Sequence, residues 1–185
     1  GQMMEPVVFP EPIDPSKLPK REWLLDGAKG RDPRLIASLH LDPIEMEQFN
    51  WKLARKYGAI CERESQYESY HLDDAVLGVV AFGTAARVAQ GAVNRAREAG
   101  FKVGLFRPIT LWPFPEKELR DLTRTVKHLL VFEMNFGQMV EDVKISVGEQ
   151  ATVDFHGRPG GVISTPHEIA DVMTKLIYRY ELDSE

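Results

Sequence analysis

The sequence predicts a three-layer α/β/α domain built on a mostly parallel sheet of about five strands. Three observations lead there. Residues 75–82 and 128–132 are apolar at nearly every position, as strands covered on both faces of a parallel sheet must be. Around these runs the apolar spacing changes to threes and fours, the mark of helices laid on a sheet. Near the end, Thr165-Pro166-His167-Glu168 precedes Ile169, Val172, Met173, Leu176 and Ile177, a capped helix with one apolar face.

The first 41 residues read differently. Prolines recur at Pro6, Pro10, Pro12, Pro15, Pro19 and Pro33 with almost no apolar period. Proline fixes φ and removes a donor, so residues 1–41 are expected to run as an extended arm. Trp23, Leu24, Leu25, Leu35, Ile36 and Leu39 supply anchors for docking on another surface. Asp42-Pro43-Ile44-Glu45 then starts a helix, with a capping side chain, proline in the first turn and a glutamate three residues on. Met46, Phe49, Leu53, Tyr57 and Ile60 form its stripe, which fades into Glu62, Glu64 and Glu68. Residues 42–74 are therefore expected to be a connecting helix ending in a polar linker near His71 to Asp74.

Residues 75–185 form the α/β domain. After the strand at 75–82, Gly83-Thr84 turns the chain, with Thr84 as cap of a helix to about Ala99 and Val88, Ala92, Val93 and Ala96 inward; Gly100 closes it. Residues 102–106 make the next strand and 107–115 a proline-rich crossover. Pro115 starts a helix carrying Leu119 and Leu122. Residues 128–133 are a strand ending in a glutamate, 138–147 a helix with Met139, Val140 and Val143 on one side, and 152–155 a short strand.

Composition narrows the function. The net charge is −5 with basic residues scattered, which argues against nucleic acid or an anionic membrane as partner. No apolar run approaches the roughly 20 residues of a membrane span, and nothing has the layout of a signal peptide, so a cytoplasmic location is expected. One cysteine, Cys61, forms no internal disulfide and holds neither an iron–sulfur cluster nor a structural zinc. Histidines 40, 71, 128, 156 and 167 lack ligand spacing. There is no G-x-G-x-x-G, Walker lysine or G-x-S-x-G.

In such a sheet, functional side chains gather at the strand carboxyl ends. Those ends carry Thr84, Arg107, Glu133 and Asn135, and a helix beginning near Gly137 aims its free N–H groups at the same edge, a possible anion site. Glu133 follows five strand residues that are nearly all apolar and needs a partner, for which Arg107 is a candidate. The pair reads either as a substrate- or interface-facing site or as a salt bridge tying two strand ends. Residues 156–161, with Arg158 among glycines, read either as an anion-binding loop or as a plain turn. Residue chemistry alone gives a fold and no reaction.

Resemblance adds more. Val80-Ala81-Phe82-Gly83-Thr84, Leu111-Trp112-Pro113-Phe114-Pro115, residues 131–139 with Glu133-Met134-Asn135-Phe136-Gly137-Gln138, and Gly157-Arg158-Pro159 resemble the C-terminal part of the alpha chain of 2-oxoacid:ferredoxin oxidoreductases, in the 2-ketoisovalerate and 2-oxoglutarate branch. The arm with Trp23 and Gly27-Ala28-Lys29-Gly30, and the helix after Asp42, resemble that family's connector.

The resemblance implies a fold similar to the C-terminal domain of transketolase. It implies an upstream pyrimidine-binding domain in the same chain, a beta subunit holding thiamine diphosphate and magnesium, and a ferredoxin-like subunit with iron–sulfur clusters. The implied reaction is oxidative decarboxylation of a 2-oxoacid to an acyl-CoA with electrons passed to ferredoxin, thiamine diphosphate doing the carbanion chemistry. No residue here matches a cofactor-contacting position of that family. This chain is therefore expected to bind no cofactor and to have no catalytic residue or activity of its own. It is expected to act as an assembly domain, with Arg107, Glu133, Asn135 and Gln138 on the face that meets another domain or subunit. The alternatives are a stand-alone Rossmann-like module for a nucleotide or CoA, and the C-terminal domain of a 2-oxoacid dehydrogenase beta chain.

Overall fold

The computed structural model describes residues 8–182, and Pro6, counted with the arm, lies outside them. The chain divides into two compact units, one up to Lys56 and one from Tyr57.

The first unit holds the arm and the start of the connecting helix. Between Val8 and Asp42 the described residues form no strand and no α-helix; a single 3-10 turn, Pro15–Lys17, is capped by Asp14, whose Oδ1 accepts from Ser16 N at 2.9 Å. A bend follows at Gly27 and Gly30, both with positive φ, where Asp26 pairs with Arg31 at 2.8 Å and Arg34 at 3.2 Å. The arm's apolar side chains, Leu35, Ile36 and Leu39 among them, are exposed. Helix α1, Pro43–Glu64, starts as its sequence predicts: Asp42 Oδ1 accepts from the N–H groups of Ile44 and Glu45 at 2.9 and 3.0 Å. None of its residues is buried.

Helix α1 stops at Glu64 instead of continuing toward Glu68. The segment expected to be helix and linker contains an edge strand, β1, Tyr67–Tyr70. Four residues, three of them exposed, give it almost no apolar signature. It is held by an antiparallel ladder, by Tyr67 stacked on Phe106 at 5.0 Å, and by Tyr70 Oη donating to Asn94 Oδ1 at 2.8 Å.

The rest alternates: β2 Leu77–Val80, α2 Gly83–Glu98, β3 Val103–Pro108, α3 Glu116–Leu122, β4 His128–Glu133, α4 Met139–Val147, β5 Thr152–Gly157 and α5 Pro166–Arg179. The sheet order is β1-β3-β2-β4-β5, with only β1 antiparallel. All four residues of β2 are buried, which is why its run lacks alternation. Leu77, Val79, Leu105 and Phe132 pack under α2 and α5 on one face; Val80, Phe106, Leu129 and Val131 pack under α3 and α4 on the other. The three-layer, mostly parallel five-stranded architecture is the one the sequence predicts.

Two helix starts bear on the site. Thr165 Oγ1 accepts from Glu168 N at 3.2 Å, so α5 is capped as read. Helix α2 begins two residues earlier than read: Phe82 is its N-cap and gives no side-chain bond, so Thr84 is inside the first turn and is not the cap.

Candidate functional site: the carboxyl edge of the sheet

Strand β2 has β3 on one side and β4 on the other, so the β2–β3 and β3–β4 connections diverge from it. The crevice between the carboxyl ends of β2 and β4 is the topological switch point, where open α/β sheets take their ligands. A cleft of about 290 Å³ sits there, lined by Phe82, Thr84, Ala85, Met134 and Asn135. That is at or below the low end of ligand pockets, roughly 300–1,000 Å³, and the lining is mostly apolar.

Beside it stands Glu133, the last residue of β4, with a relative exposure of 0%. Its carboxylate does not face the cleft as a free group. It accepts from the backbone N–H groups of Gln138 (3.2 and 3.3 Å), Met139 (3.0 Å) and Val140 (2.9 Å), and from Asn135 Nδ2 (3.0 Å). Asn135 Oδ1 in turn accepts from Gly137 N at 2.7 Å. Gln138 is the N-cap of α4, so the anion expected at this helix start is the chain's own glutamate. Charge-assisted bonds of this kind are among the stronger ones in a protein.

The block Glu133-Met134-Asn135-Phe136-Gly137-Gln138 thereby gains a physical meaning. The carboxylate reaches back over five to seven residues because the chain reverses at Gly137, whose φ is +101°. A Cβ there would meet Val140 Cγ1 at 3.0 Å and the Phe155 ring at 3.2 Å, so glycine is needed for both backbone and space. The spacing of the motif is the geometry of a capping loop.

Arg107 is not the partner of Glu133. It lies on β3 opposite Glu68 of β1, and its Nη1 donates to Glu68 Oε2 at 2.9 Å, an exposed cross-strand pair on the strand that sequence reading missed. Of the four residues singled out, the structure joins Glu133, Asn135 and Gln138 in one network and places Arg107 elsewhere. Gln138 contributes its backbone N–H, and its side chain is exposed.

The glycine-rich loop after β5 is tied down as well. Arg158 N donates to the Glu133 carbonyl at 3.1 Å, and Arg158 Nη1 bonds Glu168 in the first turn of α5. His156 lies beside this pair, its Nε2 buried, 3.7 Å from Glu168 Oε1 and without a hydrogen-bond partner. Burial lowers the His156 pKa; Glu168 opposes that shift and Arg158 adds to it. His128 is lowered by burial too, against the pull of Asp154. A histidine below its ordinary value of about 6.5 favours the fold while neutral, so this contribution is complete above about pH 6.5. It is lost as pH falls through the lowered folded value. Melting temperature is therefore expected to drop between pH 7 and 5, and the drop should shrink when His128→Asn and His156→Asn are combined; an undiminished slope would count against it.

The outer surface of the edge has the opposite character. The loops leaving the strand carboxyl ends expose Ile109, Leu111 and Trp112 after β3, Phe136 after β4, and Val162 and Ile163 after β5. Trp112 is braced edge-to-face by Tyr57 at 5.6 Å and borders a groove of about 660 Å³ with Cys61, Glu62, Pro113 and Glu116. Sequence reading missed this surface because each residue sits singly in a loop, where an apolar side chain alone carries no signal.

Among the described residues the donor set of a magnesium ion or an iron–sulfur cluster is not assembled. Among the described residues no group of three or more His, Cys, Asp or Glu is placed to hold a metal, and the N–H groups opening α4 already serve Glu133. No catalytic step through such groups is assigned to these residues. Also among the described residues, no helix is long and apolar enough to cross a membrane.

Residues 75–169 match the family described as pyruvate:ferredoxin oxidoreductase core domain II. Over 176 residues the chain is 40% identical to ketoisovalerate oxidoreductase subunit VorB of Methanothermobacter marburgensis, covering 95% of this chain and 49% of that one. The chain thus spans about half the length of the relative it matches. Among solved structures, 2-oxoglutarate:ferredoxin oxidoreductase from Magnetococcus marinus, with 2-oxoglutarate, coenzyme A and succinyl-CoA bound, superposes with a TM-score of 0.65 at 24% identity, over 75% of this chain and 24% of that chain. A split-gene transketolase, described as an inactive beta4 tetramer, gives a TM-score of 0.50 at 15% identity, over 60% of this chain and 41% of that one. These two likenesses concern the fold.

Proposed function

The chain belongs to the pyruvate:ferredoxin oxidoreductase core domain II family, and from that premise we propose that it is the non-catalytic assembly part of a thiamine diphosphate-dependent 2-oxoacid:ferredoxin oxidoreductase. In this reading it is part of the alpha subunit. An upstream pyrimidine-binding domain, a beta subunit with thiamine diphosphate and magnesium, and a cluster-bearing subunit carry out decarboxylation to acyl-CoA and pass electrons to ferredoxin.

One observation supports the assembly role most: the carboxyl edge spends its buried carboxylate on its own helix and turns apolar side chains outward. An edge of that kind suits a protein surface better than a polar metabolite. The test is anaerobic viologen reduction with CoA, thiamine diphosphate and a panel of 2-oxoacids. Activity is expected from the full-length subunit assembled with its partners and none from the 185-residue chain. Turnover by the chain alone, or tight binding of CoA or a nucleotide to it, would overturn the reading.

The edge itself can be probed. Replacing Phe136→Asp together with Ile163→Asp is expected to weaken subunit assembly at least about 100-fold, since buried apolar anchors dominate interfaces. The same changes should leave the isolated chain's stability within about 0.5 kcal/mol, as for exposed positions generally. Unaltered assembly in a pull-down titration would remove the edge from the interface.

A further inference from the structure

The loop between β5 and α5 is held at both ends. At its start Arg158 is fixed twice, its N–H on the Glu133 carbonyl at 3.1 Å and its Nη1 on Oε1 of Glu168 in the first turn of α5. At its end Ser164 is buried and Thr165 caps α5. Between them Gly160 and Gly161 have φ of +79° and +81°, and Val162 and Ile163 stand exposed on the carboxyl edge. Two successive glycines change backbone region at little cost. The course of the loop therefore depends on the ties at its ends, of which the Arg158–Glu168 pair is a charged one.

A second group converges on that tie. Nε2 of His156, on β5, lies 3.7 Å from the same Oε1 atom of Glu168 that Arg158 holds. Nε2 is buried and has no hydrogen-bond partner. A neutral imidazole tolerates this, but a protonated one must donate, because a buried charge is costly unless paired. Glu168 is the acceptor within reach. Phe132 of β4, ring centroid 5.9 Å away, carries no charge. Asp154, two residues back on β5, is turned to Arg179 at 3.6 Å, and His167, beside Glu168, to Asp171 at 3.8 Å. Access to water decides the competition. Side-chain exposure is 24% for His156 and 40% for Arg158. The more enclosed imidazolium keeps the oxygen, and the guanidinium, which water reaches, is the cation that leaves.

We propose that His156, Arg158 and Glu168 form a proton-operated latch on the loop 158–164. With His156 neutral, Arg158 holds Glu168 and the loop is fixed. When Nε2 takes a proton from solvent, Glu168 passes to His156 and Arg158 turns to water. The loop carrying Val162 and Ile163 then loosens from the carboxyl edge. Burial lowers the His156 pKa against the pull of Glu168. The latch is therefore closed at neutral pH and opens on the acid side of about 6.5, the ordinary histidine value. As regulation of docking it rests on the assembly reading of the edge; the latch itself does not.

Backbone amide relaxation of the 185-residue chain between pH 7.5 and 4.5 is the test, with subunit assembly of the complete oxidoreductase titrated over the same range. In the parent, order parameters of residues 160–164 are expected to fall from about 0.85 to below about 0.6, with a midpoint below pH 6.5. The subunit dissociation constant should rise at least tenfold in step. His156→Gln and His156→Asn, uncharged at every pH, should keep the loop ordered throughout. Glu168→Gln should leave it mobile throughout, and far-ultraviolet dichroism checks that each variant is folded. A parent loop whose order does not change with pH, or one that still loosens in acid without His156, overturns the latch. A loop that loosens as expected while assembly is unmoved upholds the latch and removes the edge from the interface.

Discussion

Glu133→Ala is expected to destabilise the second unit by about 3–5 kcal/mol, the usual cost of removing one member of a buried charged network. The substitution strips the acceptor from three backbone N–H groups at the start of α4 and from Asn135 Nδ2. Those donors are enclosed beneath Met139 and Val140, both buried, so water does not readily replace the lost oxygens. Glu133→Gln keeps the shape and one acceptor oxygen while turning an NH₂ group toward N–H groups; a smaller loss, about 2 kcal/mol, is expected. Urea unfolding checks the order Glu, then Gln, then Ala. A change below 1 kcal/mol for Ala would mean that the carboxylate is not what holds the helix start.

The second large effect is expected at Gly157, the last residue of β5, paired with Glu133 across the sheet. A Cβ there would stand 2.4 Å from the Asn135 carbonyl oxygen and 2.5 Å from the Phe155 ring. Phe155 is partly exposed and its ring can move. The Asn135 carbonyl cannot, because Asn135 is fastened on one side to Glu133 and on the other to Gly137. Gly157→Ala must therefore push β5 away from the capping loop, at about 3 kcal/mol, the upper end of overpacking costs. Gly100→Ala is the control. Gly100, after the end of α2, has φ +93° but open space around its Cβ position, so only backbone strain of roughly 1–2 kcal/mol is expected there. Equal losses at the two sites in thermal unfolding would argue against a steric origin at Gly157.

How far sequence reaches is clear from individual elements. Strand β4 was legible at both ends and α5 at its start, because burial on both faces and a capping threonine leave direct marks in composition. Strand β1 was not legible. Its stability comes from the ladder with β3 and from Tyr67 on Phe106, long-range contacts that a four-residue window cannot show. The same blind spot misassigned Arg107: its true partner, Glu68, sits on the unseen strand. The need of Glu133 for a partner was readable from the apolar run before it. That the partner is the backbone of the next helix was not, because backbone donors have no letter in a sequence. The outward apolar surface of the edge escaped for a related reason, since it assembles from three loops separated by dozens of residues.

The most direct measurement of the central claim is amide hydrogen exchange at the carboxyl-edge loops, residues 109–112, 134–137 and 158–164, in the isolated chain and in the assembled oxidoreductase. If this edge is a docking surface, exchange in all three loops should slow at least about tenfold on assembly, while the carboxyl-terminal half of α5 changes little. Loops that exchange equally in both states, with protection appearing elsewhere, would contradict the account and return the edge to the role of a folded rim without a partner.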